Sequence, residues 1–446
     1  MTTGCDVIVL GLGPGGESAA SSLAQAGLRV VGIDRRLVGG ECPYYGCVPS
    51  KMWVRAADAL GEARRVPGLA GAVEVTPDWS PVHRRIRDEA TTGWDDSIAV
   101  ERLEKAGVSF VRGHGRLDGP GRVTVDGTTY EARHGVVLNT GTEPGVPPVD
   151  GLAELPYWTN RDVFDLAELP GSLAVLGGGA IGVELAQAFA RFGVEVTVVE
   201  VADRVVPAEE PEASAVVAGA LARDGIRVRT GARVARASYD GGFRLDLDGE
   251  QVTAERLLVA AGRRNNLGDI GLGTVGLDPV ARVIGTDERM RAGDRLWAIG
   301  DITGKGGFTH VSMYQSAVAV RDLLGQEGPW ADYRAVSRVT FTDPEIGAVG
   351  MTEQQARDAG LRVSTGSTEL GTRGWIAKAD GLVKLVADAD RGVLVGATTV
   401  GPSGGEMIGL LATAVHAEVP VATLRGMHFA YPTYHRAIEA AVADLP

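Results

Sequence analysis

A glycine pattern occurs twice in this chain, and the second copy repeats the first at a fixed displacement. Gly11, Gly13 and Gly16 follow the apolar run 5–10 at G-x-G-x-x-G spacing, and Gly177, Gly179 and Gly182 follow Ser172–Leu176 in the same way. Gly27 and Gly193, and Asp34 and Glu200, keep the same offset of 166 residues. Each copy reads as strand, tight turn, helix, strand and terminal acid, which is the βαβ unit that binds a dinucleotide. The glycines let backbone amides approach a pyrophosphate at a helix N-terminus, and the acid accepts the ribose hydroxyls. Two copies predict two Rossmann-like domains of α/β class and two bound nucleotides.

The second constraint is chemical. Residues 39–51 read GGECPYYGCVPSK and hold two of the three cysteines, Cys42 and Cys47. In a regular helix their Cα atoms would lie about 8–9 Å apart, beyond the roughly 4.4–6.8 Å that a disulfide spans. The pair can bridge only where the backbone leaves helical geometry, and Gly39, Gly40, Pro43 and Gly46 supply that freedom. The run after Pro49 is helical in composition, so Cys47 falls near a helix start, where the dipole favours a thiolate. A redox-active pair is therefore expected. Cys5 lies in the first apolar strand and reads as a small core residue. Two cysteines without further ligands nearby do not make a zinc site, and no metal is expected.

Composition narrows the partners. The chain has 446 residues and a formal net charge of −13, which argues against nucleic acid or an anionic membrane. No apolar run is long enough to span a bilayer. The start, MTTGC, shows no signal-peptide pattern, and three cysteines in a chain this long do not form a secreted scaffold. A cytoplasmic location is the expectation.

The double glycine, C-x4-C and P-S-K run resembles the signature of the class I flavoprotein disulfide reductases, the family of glutathione reductase, dihydrolipoamide dehydrogenase and mercuric reductase. The resemblance extends over essentially the whole chain. It implies FAD in the first unit and a nicotinamide nucleotide in the second. It also implies a discontinuous FAD-binding domain, residues 1–150 and 266–328, interrupted by an NAD(P)H-binding domain, residues 151–265. Residues 329–446 then form an α+β interface domain that makes a homodimer. Residues 136–144 (VVLNTGTEP) resemble the family's strand and turn, which places Gly141 at the cofactor and Asn139 where alanine is usual. Residues 257–265 (LLVAAGRRN) are the counterpart in the second fold and place Gly262 there. Residues 296–301 (LWAIGD) resemble the motif in which Gly300 precedes Asp301, the acid that holds the flavin's ribityl chain. Residues 52–110 read as a charged, helical excursion, and RVTVDGTTYEA as a hairpin turning at Asp126-Gly127. Glu200 would accept the ribose 2′-hydroxyl and repel a 2′-phosphate, and Arg204 stands alone beside it, so NADH is expected over NADPH.

By the same resemblance, electrons pass from NADH through FAD to the Cys42–Cys47 disulfide and on to a small acceptor. Cys47 faces the flavin, Cys42 attacks the substrate, and Lys51 pairs with Glu184 near the flavin's reactive edge. The pattern departs at the C-terminus, where the family's His-Pro-Thr run is Tyr431-Pro432-Thr433 and its later glutamate is Arg436. A tyrosine of ordinary pKa is about 0.1% ionised at neutral pH. Losing a general base costs about 10²–10⁴-fold, or about 3–5 kcal/mol of barrier. His428 and His435 are the alternative proton carriers. On a helix, Tyr431, His435 and Glu439 would share a face, as a relay or as a plain His435–Glu439 surface pair. The acceptor stays open between a small disulfide and a quinone, metal ion or other compound. Without a vicinal cysteine pair at the C-terminus, mercuric ion is disfavoured. Glu41, where the family commonly has threonine, is expected to raise the thiol pKa of Cys42.

Overall fold

The computed structural model describes residues 2–446. The chain divides into two compact units. One contains Met1–Ser50, Arg84–Pro144 and Arg263–Asp332; the other contains Lys51–His83, Gly145–Gly262 and Tyr333–Pro446.

The first unit is built on Thr2–Leu10 (β1), Pro14–Gln25 (α1) and Val30–Asp34 (β2). Val7, Ile8 and Val9 are fully buried, which explains the unbroken apolar run: a parallel strand covered on both faces has no polar side. β1 pairs in parallel with β2 on one side and with Thr128–Leu138 on the other. Val108–Arg112 extends the sheet beyond β2, and Leu296–Ala298 extends it beyond Thr128–Leu138. The hairpin turn falls at Asp126-Gly127 with φ of 45° and 80°, the left-handed pair that such a two-residue turn requires. The helical excursion ends before residue 108, not at 110, because Val108 and Phe110 belong to a strand that hydrogen-bonds β2. Glu41–Tyr45 (α2) and Cys47–Arg65 (α3) follow β2.

The second unit repeats the theme. Its four parallel strands lie in the order Arg227–Arg229, Glu195–Val199, Ser172–Leu176 and Arg256–Val259. Helix Ala180–Arg191 connects the middle two. The C-terminal part of this unit holds a five-stranded antiparallel sheet with helices Gly404–His416 and His435–Asp444, joined through a core that includes Val383, Leu385, Leu411 and Ile438. Two dinucleotide-binding folds and a C-terminal α+β part are thus present, as expected.

One buried cation ties distant segments of the second unit together. Arg191 donates to Asp58 at 2.7 Å, Asp224 at 3.0 Å and Asp343 at 2.7 Å, with its side chain 2% exposed. Replacing Arg191 by leucine removes the shared cation from three carboxylates, of which Asp343 keeps Arg65 and Asp224 keeps Gln187. The expected loss is about 3–5 kcal/mol, measured by urea denaturation. Burial raises the Asp58 carboxyl to about 6 against the opposing pull of Arg191. A folded value above the unfolded one, about 3.9, means the Asp58 contribution is full at lower pH and fades as pH rises through about 6. Asp58→Asn should therefore flatten the pH dependence of stability across that window.

Candidate active site

The cysteines lie where the backbone breaks. Gly46, at φ −138° and ψ −115°, separates α2 from α3, so Cys42 and Cys47 stand on two helices and not on one. Cys47 is the first residue of α3. The entry to α2 is set by Gly39 and Gly40, both with positive φ. Gly39 N–H donates to Leu12 O at 2.7 Å, and a Cβ on Gly40 would stand 2.9 Å from Gly13 Cα. The cysteine loop therefore rests directly on the first glycine turn. The two thiols hydrogen-bond each other, and this bond with burial pushes the Cys42 thiol well up.

Nothing in the residues around Thr309 resembles a known site motif, yet it belongs to the site. Its Oγ1 lies 3.5 Å from Cys47 Sγ, and its hydrogen bond to Cys42 opposes the rise of that thiol. It opens helix Thr309–Leu323. The glycine-rich run 304–307 just before it is the signal that could have located it.

Glu41 behaves differently from expectation. Its carboxylate pairs with Arg263 at 3.2 Å, and the rise of the Cys42 thiol comes from Cys47 and burial. Arg263 also donates to Thr142 Oγ1 at 2.7 Å and to Thr142 O at 3.2 Å. Thr142 in turn donates to Asp301 at 2.7 Å. A chain of polar contacts thus runs from the residue before Cys42 to Asp301.

Both glycine turns fit a dinucleotide. A Cβ on Gly11 would fall 2.2 Å from Asn139 O, and one on Gly16 would fall 2.0 Å from Gly11 O. In the second fold the matching distances are 2.4 Å, from Gly177 to Ala260 O, and 2.0 Å, from Gly182 to Gly177 O. Gly13 and Gly179 are the N-caps of their helices and supply no side-chain cap, so the first amides suit a pyrophosphate. The terminal acids also match. Asp34 accepts from Leu12 N–H and Arg36 N–H, both at 2.7 Å, and Glu200 accepts from Gly178 N–H and Ala202 N–H, the same two amides one repeat later. Burial raises the Asp34 carboxyl while those amides oppose the rise. Gly141, Gly262 and Gly300 all have positive φ, at 61°, 120° and 79°. Arg204 is engaged in its own loop, donating to Pro207 O.

In the second unit, Lys51 Nζ donates to Glu184 Oε2 at 2.7 Å. The other glutamate oxygen accepts from Phe341 N–H at 2.8 Å, and Lys51 lies 4.6 Å from the Phe341 ring centre. The sequence expectation for Tyr431 and His435 needs correction. The helix starts at His435, so Tyr431 stands outside it, and Tyr431, His435 and Glu439 share no helical face. Glu439 pairs with Arg436. Tyr431 is 67% exposed.

Two repeated nucleotide folds with a cysteine pair against the first define the class of a flavin-linked disulfide oxidoreductase. The chain matches the pyridine nucleotide-disulphide oxidoreductase family over residues 5–319 and that family's dimerisation domain over residues 336–442. It is 32% identical to dihydrolipoyl dehydrogenase 2 of Haloarcula marismortui, over 99% of this chain and 97% of that protein. It is 34% identical to a mercuric reductase of Streptomyces lividans, over 98% of this chain and 96% of that one. Among solved structures it resembles LpdA from Mycobacterium tuberculosis, at 28% identity and TM-score 0.85, covering 98% of this chain and 99% of that one. The HOCl-induced flavoprotein disulfide reductase RclA from Escherichia coli gives 27% identity and TM-score 0.84, covering 99% of both chains. The chain belongs to the pyridine nucleotide-disulphide oxidoreductase family. It is an FAD- and pyridine-nucleotide-dependent oxidoreductase. No helix among the described residues is long and apolar enough to cross a membrane.

The contrast between Thr309 and Glu41 is testable by alkylating the reduced protein and quantifying label on Cys42. Thr309→Val should slow labelling at neutral pH about threefold to tenfold, the worth of one hydrogen bond. Glu41→Thr should change it little, because Arg263 already offsets that carboxylate.

Proposed function

We propose that the protein oxidises NADH and, with FAD in its first fold, reduces the Cys42–Cys47 disulfide, which discharges to a small acceptor. The observation that carries this reading is the contact of the cysteine loop with the first glycine turn, Gly40 against Gly13. Bound in the first fold, FAD would supply hydride acceptance from the pyridine nucleotide and electron-pair transfer to the disulfide.

The chain's own residues handle charge and protons. As the S–S bond breaks, Cys47 is held as a thiolate at the start of α3, where the helix dipole favours it. Cys42, whose thiol is pushed up, takes the proton. For a disulfide acceptor, Cys42 attacks one sulfur and its proton goes to the half that leaves as the first thiol. The Cys47 thiolate then attacks Cys42 Sγ, expels the second half, which takes a proton from solvent, and restores the Cys42–Cys47 bond. Lys51, fixed by Glu184 and one helical turn after Cys47, supplies a positive charge that favours electron uptake. Asp301, oriented by Thr142, holds the ribityl hydroxyls. The glycines at 11, 13, 16, 141 and 300, with Asp34, bind FAD. Those at 177, 179, 182 and 262, with Glu200, bind the nicotinamide nucleotide.

Glu200 supports NADH over NADPH: its carboxylate is oriented by two amides, and a 2′-phosphate would meet a like charge. The working division is an FAD domain of residues 1–150 and 266–328, an NAD(P)H domain of 151–265 and an interface domain of 329–446. Through that last domain the protein forms a homodimer, and its place is the cytoplasm.

A second reading concerns the acceptor. Tyr431 stands where a disulfide-reducing relative has its histidine, and it is largely exposed. RclA, similar in fold at 26% identity and TM-score 0.84, has been solved as a Cu(II) complex. A quinone or metal ion reduced by the dithiol fits a site whose general base is missing. An anaerobic NADH titration, followed at the long-wavelength thiolate–flavin absorbance, tests the electron path; no such absorbance removes the cysteines from it. Lipoamide, glutathione disulfide, quinones and Cu(II) are then compared as acceptors. Turnover on quinones or Cu(II) alone supports the second reading, and fast turnover on a disulfide refutes it. Glu200→Ser should narrow the preference for NADH over NADPH about tenfold or more, read as the ratio of kcat/KM values.

A further inference from the structure

Asn139 is a buried polar side chain that the reaction outlined above does not use. It follows the strand Thr128–Leu138 and is 6% exposed. Its carbonyl oxygen receives the close approach of Gly11 in the first fold, just as Ala260 O receives Gly177 in the second. The two folds thus align Asn139 with Ala260, a residue that makes no side-chain hydrogen bond. The first fold has acquired an amide at a position where the shared architecture needs none.

That amide joins three elements. Oriented to satisfy both of its ends, it accepts from Gly16 N–H at 2.9 Å and donates to Ser312 Oγ and Ile299 O, both at 3.3 Å. Gly16 lies in the first turn of α1. Ile299 precedes Gly300 and Asp301. Ser312 lies three residues after Thr309 on helix Thr309–Leu323. The junction is tight: a Cβ on Gly15 would stand 2.2 Å from Ser312 Oγ, and one on Gly300 would stand 2.6 Å from the Asn139 amide. The helix that Asn139 holds is the one whose first residue, Thr309, touches the cysteine pair.

We infer that Asn139 is a positioning residue, which locks helix Thr309–Leu323 and the Asp301 turn to the start of α1, and so fixes Thr309 on the cysteine pair and the pyrophosphate turn in one geometry. This rests on the assignment of FAD to the first fold. A side chain that reaches one element would only fill space. One that bridges Gly16, Ile299 and Ser312 couples the dinucleotide turn to the thiols, so its loss should appear at both places.

The test uses the full-length protein with Asn139→Ala, Asn139→Ser and, as a packing control, Ser316→Ala. Ser316 lies one turn beyond Ser312 on the same helix, is 1% exposed, and its hydroxyl has no hydrogen-bond partner among the described residues. FAD affinity is read by fluorescence on flavin-stripped protein, and the thiolate–flavin absorbance is read per bound flavin after NADH reduction. Asn139→Ala should weaken FAD binding about tenfold and lower the absorbance about twofold. Asn139→Ser, keeping one hydroxyl, should fall between it and the wild type, and Ser316→Ala should change neither. Wild-type values for Asn139→Ala overturn the inference, as does an equal loss in Ser316→Ala. If Asn139→Ala does not fold, Asn139→Ser against Ser316→Ala decides on the same two readouts. A wild-type protein that takes up no FAD would instead remove the flavin assignment itself.

Discussion

The structure depends on backbone passing close to backbone. At Gly11 and Gly16 the distances leave no room for a single extra carbon, and the same holds at Gly177 and Gly182. Nothing attractive is gained at these points. They are permissions: where a Cβ is missing, a strand can turn straight into a helix and present amides to an anion. The cysteine loop uses the same permission at Gly40, which brings the cysteine pair onto the first glycine turn. The site's chemistry is therefore fixed first by excluded volume and only then by polar groups.

Those polar groups share a strategy. A protein of net charge −13 that binds anionic nucleotides places carboxylates at several functional points. Each has its charge met locally. Asp34 and Glu200 each accept two backbone amides, Glu184 is paired with Lys51, Glu41 with Arg263, and Asp301 accepts from Thr142. A buried carboxylate left alone would cost far more than one so satisfied.

Much of this was legible in the residues. The repeated glycine spacing and its fixed offset are local, covalent regularities, and they led directly to two nucleotide folds. The break between Cys42 and Cys47 was legible because glycine and proline disrupt helices wherever they fall. What stayed hidden depends on partners far apart in the chain. Arg263 is remote from Glu41 in sequence, so the loss of Glu41's influence on Cys42 could not be read from the residue before the cysteine. Thr309 looks like any helix start. Residues 108–110 read as part of a charged excursion until β2 takes them as a neighbour. Tyr431 and His435 share a helical spacing, but Pro432 and the late start of the helix separate them. Asn139 was visible as an oddity, and only its three partners gave it a meaning.

The order of strands has a consequence for biosynthesis. The second nucleotide fold is drawn from one continuous stretch of chain, whereas the first sheet is complete only when Leu296–Ala298 arrives beside Thr128–Leu138. On a ribosome, the later segment can finish folding while the earlier one still waits with an exposed strand edge. Of the two nucleotide folds, the one that emerges first is completed last, and the edge of Thr128–Leu138 that awaits Leu296–Ala298 stays unpaired during that interval of translation.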